Sequence, residues 1–407
     1  MNLLHHTLPN GIRLVHKTVP NMIAHCGVII NTGSRDEKEN EHGMAHFVEH
    51  MLFKGTAKRK TYHILSSLED RGGELNAYTT KEETAIYGSF LKNDYNKALD
   101  IISDVIFNST FPEKEILKEK EVITEEINSY RDTPSELIFD DFEEMIYEGE
   151  PIGRNILGSE KSLGNFNRNM IHEFISSNYN PKGMVVCSVG NIREKQLLKL
   201  FEKYFGNIPA KETGSARTAF TSYKPSYKTI SKNTWQDHCI IGNMAYDVRD
   251  KKRLAMFLLN NILGGQGLNS RLNLSMREKN GFAYNVESNY IPYCDSGIFM
   301  IYFGTDRKNR EKSINVALKE LKRLREQKLG MTQLQKAKNQ IKGNIARGRE
   351  NNENLMLAMG KNILLFDRME STEALYGKID LLTSSDLLEI ANEVFSGNML
   401  STLIYTK

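Results

Sequence analysis

His42-Gly43-Met44-Ala45-His46-Phe47-Val48-Glu49-His50-Met51-Leu52-Phe53 is the stretch from which the rest of this chain is read. It reads as a helix set between strands. His46 and His50 are four apart, so on a helix they stand on one face, one turn from each other. Two imidazoles so placed can reach one metal ion at ~2.0–2.1 Å each. Glu49 borders the same face, where a carboxylate beside a metal ion could take a proton from water. Taken alone, the pattern fits an ordinary helix that carries two histidines and a glutamate.

Outward from this helix, Ile12–Val19, His25–Asn31, Thr84–Leu91 and Gly183–Gly190 alternate or run apolar as strands do. Tyr95–Asn108, Pro112–Tyr130 and Asn169–Asn178 read as helices. The order recurs with strands at His238–Ala245, Gly297–Gly304 and Asn398–Thr406, and helices at Lys251–Leu263, Arg310–Glu326, Thr332–Glu350 and Ser385–Phe395. Matching strands lie roughly 212–215 residues apart, which implies a duplication. The expected fold is α+β: two homologous half-units, each a mostly antiparallel sheet with helices packed on one face. The polar, aperiodic run within Pro209–Pro225 marks the boundary. It gives an N-terminal domain over 1–208 with the histidine pair, a linker over 209–226 and a related C-terminal domain over 227–407.

The chain has 407 residues, 40% of them hydrophobic, enough for more than one core. Lys and Arg number 54 against 51 Asp and Glu, so the charge of +3 gives no electrostatic reason to expect nucleic acid. No apolar run approaches the ~18 residues of a membrane span, and Met1–Leu14 does not read as a signal peptide. The expectation is a cytoplasmic protein without a membrane partner. Cys26, Cys187, Cys239 and Cys294 lie far apart without CxxC spacing, which fits isolated thiols rather than a disulfide framework.

A tetrahedral site needs a third protein ligand. Along Glu113–Tyr130, Ile116, Ile123, Ile127 and Tyr130 mark one face, and Glu119 and Glu126, seven apart, fall on it. Glu121 and Glu125 point elsewhere. Acids on an inward face need a partner to offset desolvation; a Lys or Arg would serve as well as a metal site.

With these residues assembled, the chain resembles the pitrilysin, insulysin and mitochondrial processing peptidase family of inverzincin zinc metallopeptidases, as a short bacterial-type member. H-x-x-E-H is the zincin HExxH arrangement reversed. The match runs from Leu8-Pro9-Asn10-Gly11 through Gly33 and the His46–His50 helix to Glu126, which stands 76 residues after His50. The resemblance implies His46, His50 and Glu126 as ligands of one Zn2+ per chain, Glu49 as general base, and Glu119 as the acid that orients a metal-bound imidazole. It also implies that Asn76, Ala77, Tyr78 and Thr79, after the turn Gly72-Gly73, form a strand whose edge pairs with an extended peptide. The family's Arg/Tyr pair falls on Arg277 and Tyr284, where a guanidinium can hold a substrate carbonyl or carboxylate and a phenol can donate to a developing oxyanion.

Sliding the second half onto the first by about 211 residues puts Phe257, Asn260 and Asn261 where His46, Glu49 and His50 stand. Those residues cannot hold zinc, so the resemblance implies one catalytic half and one that shapes the site. The implied activity is a zinc-dependent endopeptidase or oligopeptidase acting on extended peptides in an enclosed chamber. Family enclosures use four half-units, so two in this chain imply a homodimer or pairing with a related subunit. The rival reading is a non-catalytic partner or scaffold subunit of a processing-peptidase-like complex; such subunits lose part of the metal motif, whereas every element is present here.

Overall fold

The computed structural model describes residues 3–211 and 217–407; Glu212–Ala216 of the expected linker lie outside them. The strands are β1 Leu4–Thr7, β2 Arg13–Thr18, β3 Ile23–Ile30, β4 Glu74–Thr79, β5 Thr84–Leu91, β6 Met184–Gly190, β7 Tyr227–Ser231, β8 Asp237–Ala245, β9 Ala283–Pro292, β10 Gly297–Thr305 and β11 Ser401–Thr406. The helices are α1 Met44–Leu52, α2 Thr61–Glu69, α3 Tyr95–Phe107, α4 Glu113–Arg131, α5 Pro134–Ile146, α6 Glu160–Asn165, α7 Arg168–Asn178, α8 Glu194–Phe205, α9 Arg253–Gly264, α10 Arg310–Glu326, α11 Met331–Glu350, α12 Asn352–Phe366, α13 Thr372–Leu381 and α14 Ser384–Val394.

Two compact units result. One comprises Met1–Asn128, Arg154–Arg217 and Arg347–Glu370; the other Ser129–Gly153, Thr218–Ala346 and Ser371–Lys407. The first holds a six-stranded sheet in the order β1-β2-β6-β3-β5-β4, and the second a five-stranded sheet in the order β7-β11-β8-β10-β9. Neighbours run antiparallel apart from β2 with β6 and β7 with β11. This is the expected α+β duplication.

The compact units are not contiguous in sequence, unlike the division into 1–208, 209–226 and 227–407. Apart from the change near Arg217, the segment with α5 belongs to the second unit and the segment with α12 to the first. The cause lies in the central strands. In β6, Met184 and Val186 join the main core with α1, α3, α4, α7 and α8, while Val185, Cys187 and Val189 face the other way. That second apolar face is covered by Leu355, Met356, Met359 and Ile363 of α12. In the second unit, Ile298 and Met300 of β10 meet Leu137, Ile138 and Phe142 of α5, while Phe299, Ile301 and Phe303 meet α9, α10 and α14. A strand buried on both faces is apolar throughout rather than alternating, which is how β6 and β10 read. Most helices lie on one face of each sheet, and one helix from a distant part of the chain closes the other.

Cys26, Cys187 and Cys239 are buried as free thiols within these cores. No helix of the described residues is long and apolar enough to cross a membrane.

Candidate metal centre

α1 carries the histidines because its apolar residues fix its orientation. Met44, Phe47, Val48, Met51 and Leu52 are buried in the first unit's core, which turns His46 and His50 onto the remaining face. The helix starts at Gly43 with φ 93°, a left-handed conformation that favours glycine, and a Cβ there would meet the Gly158 Cα at 2.8 Å. Both oxygens of the buried Glu37 carboxylate accept backbone N–H groups of this first turn, from Gly43 at 2.9 Å and Ala45 at 2.8 Å. A carboxylate there satisfies donors that the helix itself leaves unpaired. His42 is hydrogen-bonded to the Asn155 carbonyl at 2.9 Å, as a flanking residue.

α4 brings up the acids. Ile116, Ile123 and Ile127 are buried, and Glu119 and Glu126, two turns apart, border them; Glu121 and Glu125 are exposed. Glu126 lies closer to solvent than its spacing suggests, with 43% of its side chain exposed. Its Oε1 stands 3.9 Å from His46 Nε2 and its Oε2 3.7 Å from His50 Nε2. The imidazole centroids are 4.5 Å apart, and one donor atom from each of the three residues falls within 4.8 Å of the others.

The buried Glu119 accepts a hydrogen bond from His50 Nδ1 at 2.9 Å through Oε1, and its Oε2 pairs with Lys54 Nζ at 2.7 Å. Sequence reading found Glu119 but not Lys54, which sits four residues after His50 on the turn past the helix; its spacing was the available signal. Burial alone would raise the Glu119 carboxyl, but the hydrogen bonds from His50 and Lys54 outweigh it and hold the group below the usual range. Because Glu119 accepts the Nδ1 proton, a neutral His50 has its lone pair on Nε2, directed at Glu126. A lone pair and a carboxylate oxygen at 3.7 Å with no proton between them suit a shared cation. His46 is pushed down to about 3, first by burial and then by the neighbouring His50, so it is neutral and in ligand form. Its Nδ1 is buried without a hydrogen-bond partner among the described residues. Two nitrogens and one carboxylate oxygen fit zinc with one position left open.

Glu49 stands beside the cluster. Burial raises its carboxyl, the Glu126 charge adds to this, and the Thr79 hydroxyl and His50 offset part of it. Thr79 ends β4, the edge strand of its sheet, which lies next to α1. Ala77 packs toward the α1 side and Tyr78 toward the opposite face, where its hydroxyl donates to Glu83 at 3.0 Å. Asn76 is exposed.

Arg277 and Tyr284 belong to the second unit. Arg277 lies on a π-helical turn, Asn273–Glu278, and its guanidinium carbon sits 4.9 Å from the centre of the Tyr284 ring at the start of β9. Both line a cavity of about 620 Å³ with Phe257, Asn260 and Asn261. The three residues aligned with His46, Glu49 and His50 thus gather in one place without metal-binding chemistry.

Two family descriptions match the chain: "Insulinase (Peptidase family M16)" over residues 13–160 and "Peptidase M16 inactive domain" over residues 165–341. The zinc protease YmxG of Bacillus subtilis is 33% identical over 402 residues, which cover 98% of this chain and 97% of that protein. The mitochondrial-processing peptidase subunit beta of Saccharomyces cerevisiae is 30% identical over 401 residues, 95% of this chain and 87% of that one. Among solved structures, a protease from Helicobacter pylori shares the fold over 100% of both chains, with a TM-score of 0.91 at 21% identity.

Proposed function

The chain belongs to the M16 insulinase family of peptidases, and on that premise we propose that it is a zinc-dependent endopeptidase or oligopeptidase acting on extended peptides. The metal ligands in this reading are His46, His50 and Glu126. The observation that carries it is the hydrogen bond from His50 Nδ1 to Glu119, which leaves the His50 Nε2 lone pair facing Glu126 beside a neutral His46.

Zinc bound there supplies Lewis acidity toward the scissile carbonyl and toward water. Glu49 removes a proton from the attacking water and returns it to the leaving amine. Its burial favours this role by raising its proton affinity toward the working range, and positioned acid–base groups contribute ~10²–10⁴-fold. Glu119, held by Lys54, keeps the His50 ring and its tautomer fixed. In this reading an extended peptide pairs through its main chain with the edge of β4, with Asn76–Thr79 alongside it; the edge position of β4 supports this. The resemblance gives Arg277 and Tyr284, a cation and a phenol, the role of holding a substrate carbonyl or carboxylate. The enclosed chamber and a partner, whether a second copy or a related subunit, rest on the resemblance.

The purified protein should hold one zinc and cleave a quenched peptide, and a chelator should abolish cleavage. Glu49→Gln should retain the metal and lose hydrolysis. A zinc-replete protein that cleaves no peptide in a mixed library would refute the enzymatic reading and favour the scaffold role.

A further inference from the structure

Apart from the metal centre, the second unit has a recess of about 360 Å³ whose lining includes four cationic side chains, Arg271, Lys279, Arg323 and Lys328, and one acid, Glu320. Glu320 is buried and hydrogen-bonded to Arg323 at 3.0 Å. Arg271 is only 25% exposed, yet the carboxylate beside it is 3.9 Å away, beyond hydrogen-bond reach. Its guanidinium makes no hydrogen bond within the described residues. Burial lowers its proton affinity and Arg323 adds to this, against the opposing charge of Glu320. Lys328 donates to Ser385 Oγ at 3.0 Å, a neutral partner that leaves its charge uncompensated, and Lys279 is exposed at the rim. One carboxylate among four cations leaves a surplus of positive charge around a half-buried, underused guanidinium.

We propose that this recess binds a multiply charged phosphate-class oxyanion. The planar forks of Arg271 and Arg323 suit tetrahedral oxyanions, and the lysines add charge without fixed geometry. A single carboxylate would neutralise too little of the surplus to offset desolvation of Arg271. The ligand would brace the turn Arg271–Lys279, which also carries Arg277 into the cavity on its other side.

The test is calorimetric titration of the zinc-loaded full chain with inorganic pyrophosphate, with acetate and ADP as parallel titrants. The expected result is one saturable pyrophosphate site per chain, weakened by added salt, and no saturable heat with acetate. ADP binding more tightly than pyrophosphate would assign a nucleotide as the carrier, and equal binding the free ion. Arg271→Gln with Arg323→Gln should weaken pyrophosphate at least ~10-fold. Because that variant strands the buried Glu320, Lys279→Gln with Lys328→Gln is the companion, altering exposed groups only and weakening binding severalfold with a shallower salt dependence. Absence of a saturable site, acetate binding as well as pyrophosphate, or affinity unchanged in the lysine pair would overturn the proposal. Zinc extraction by pyrophosphate would give heat that both variants retain. None of these results depends on peptide cleavage.

Discussion

Glu119→Gln separates a metal centre from a chance cluster. The wild-type carboxylate has two oxygens for two donors, His50 Nδ1 at 2.9 Å and Lys54 Nζ at 2.7 Å. A carboxamide has one acceptor oxygen for both. Lys54 has the stronger claim, so the amide NH2 turns toward His50 and favours the tautomer with its proton on Nε2, the nitrogen that faces Glu126. The lost interaction is a charge-assisted hydrogen bond in a buried place, worth ~1.5–3 kcal/mol. At ~1.4 kcal/mol per tenfold this is about 10–100-fold in zinc affinity, the range for residues that orient a ligand. Competition with a chromophoric chelator reads the constant directly. Glu49→Gln should match wild type, Glu119→Gln should fall by that factor, and Glu126→Gln should fall further because a ligand is lost. If Glu49→Gln loses zinc as severely as Glu126→Gln, the ligand and base assignments are wrong. If Glu119→Gln leaves affinity unchanged, the tautomer argument fails.

Three other consequences can be measured. Gly43→Ala puts a side chain at φ 93° and 2.8 Å from the Gly158 backbone, so it should cost at least ~1–2 kcal/mol and lower zinc affinity by displacing the start of α1; chemical denaturation and metal titration would show both. Gly360→Val drives a branched side chain toward Ile29 Cδ1, 2.6 Å from a Cβ at that position, and should cost ~1–3 kcal/mol in urea denaturation while zinc stoichiometry is unchanged. His16, 1% exposed and held between Ser188 and Thr18, is pushed down by burial to about 4 from 6.5. The unfolded chain takes up that proton below pH 6.5 and the folded chain does not. Stability is therefore lost as pH falls from about 6.5 to about 4, by on the order of 3 kcal/mol, and His16→Gln should flatten this part of the profile.

The duplication and the donor set were legible because each is written in local pattern. His46 and His50 are four apart on one helix, Glu119 and Glu126 seven apart on another, and the strands recur with similar lengths. The exchange of α5 and α12 was not, because nothing local in Pro134–Ile146 or Asn352–Phe366 says which sheet each covers. The signal was in the strands: β6 and β10 are apolar on both faces, and a sheet so built needs a layer on each side. Lys54 escaped because it lies past the motif, on the turn where α1 ends. Its relevance depends on where α4 carries Glu119, which is a tertiary fact. Glu37 escaped because its reach to the first turn of α1 depends on the short turns around it, Ser34–Asp36 and Glu39–Glu41, which no motif marks. Glu126 was found by spacing, but its exposure is set by the open side of the site rather than by helix periodicity.

The charge of the proposed centre bears on what a metal would do for the fold. Glu49, Glu119 and Glu126 are three carboxylates around two imidazoles and one ammonium, that of Lys54. Leaving the imidazoles out of the count, three carboxylates and one ammonium carry two more negative charges than positive, the surplus that one divalent cation cancels. Glu119 and Lys54 neutralise each other, so the uncompensated pair is Glu49 with Glu126, and the Glu126 charge disfavours ionisation of Glu49. At the partly exposed Glu126 this repulsion is on the order of 1 kcal/mol. It follows that Glu126→Gln should have opposite effects on the two forms. In zinc the substitution removes a ligand and lowers the thermal midpoint. Without zinc it removes one of two facing charges and should raise the midpoint by about 2–4 °C. Scanning calorimetry of both proteins, with zinc and with chelator, gives all four values. A metal-free Glu126→Gln protein less stable than the metal-free parent would mean that the carboxylates are already compensated by groups of the chain, and the cluster would then be a structural ion network rather than a site built for a cation.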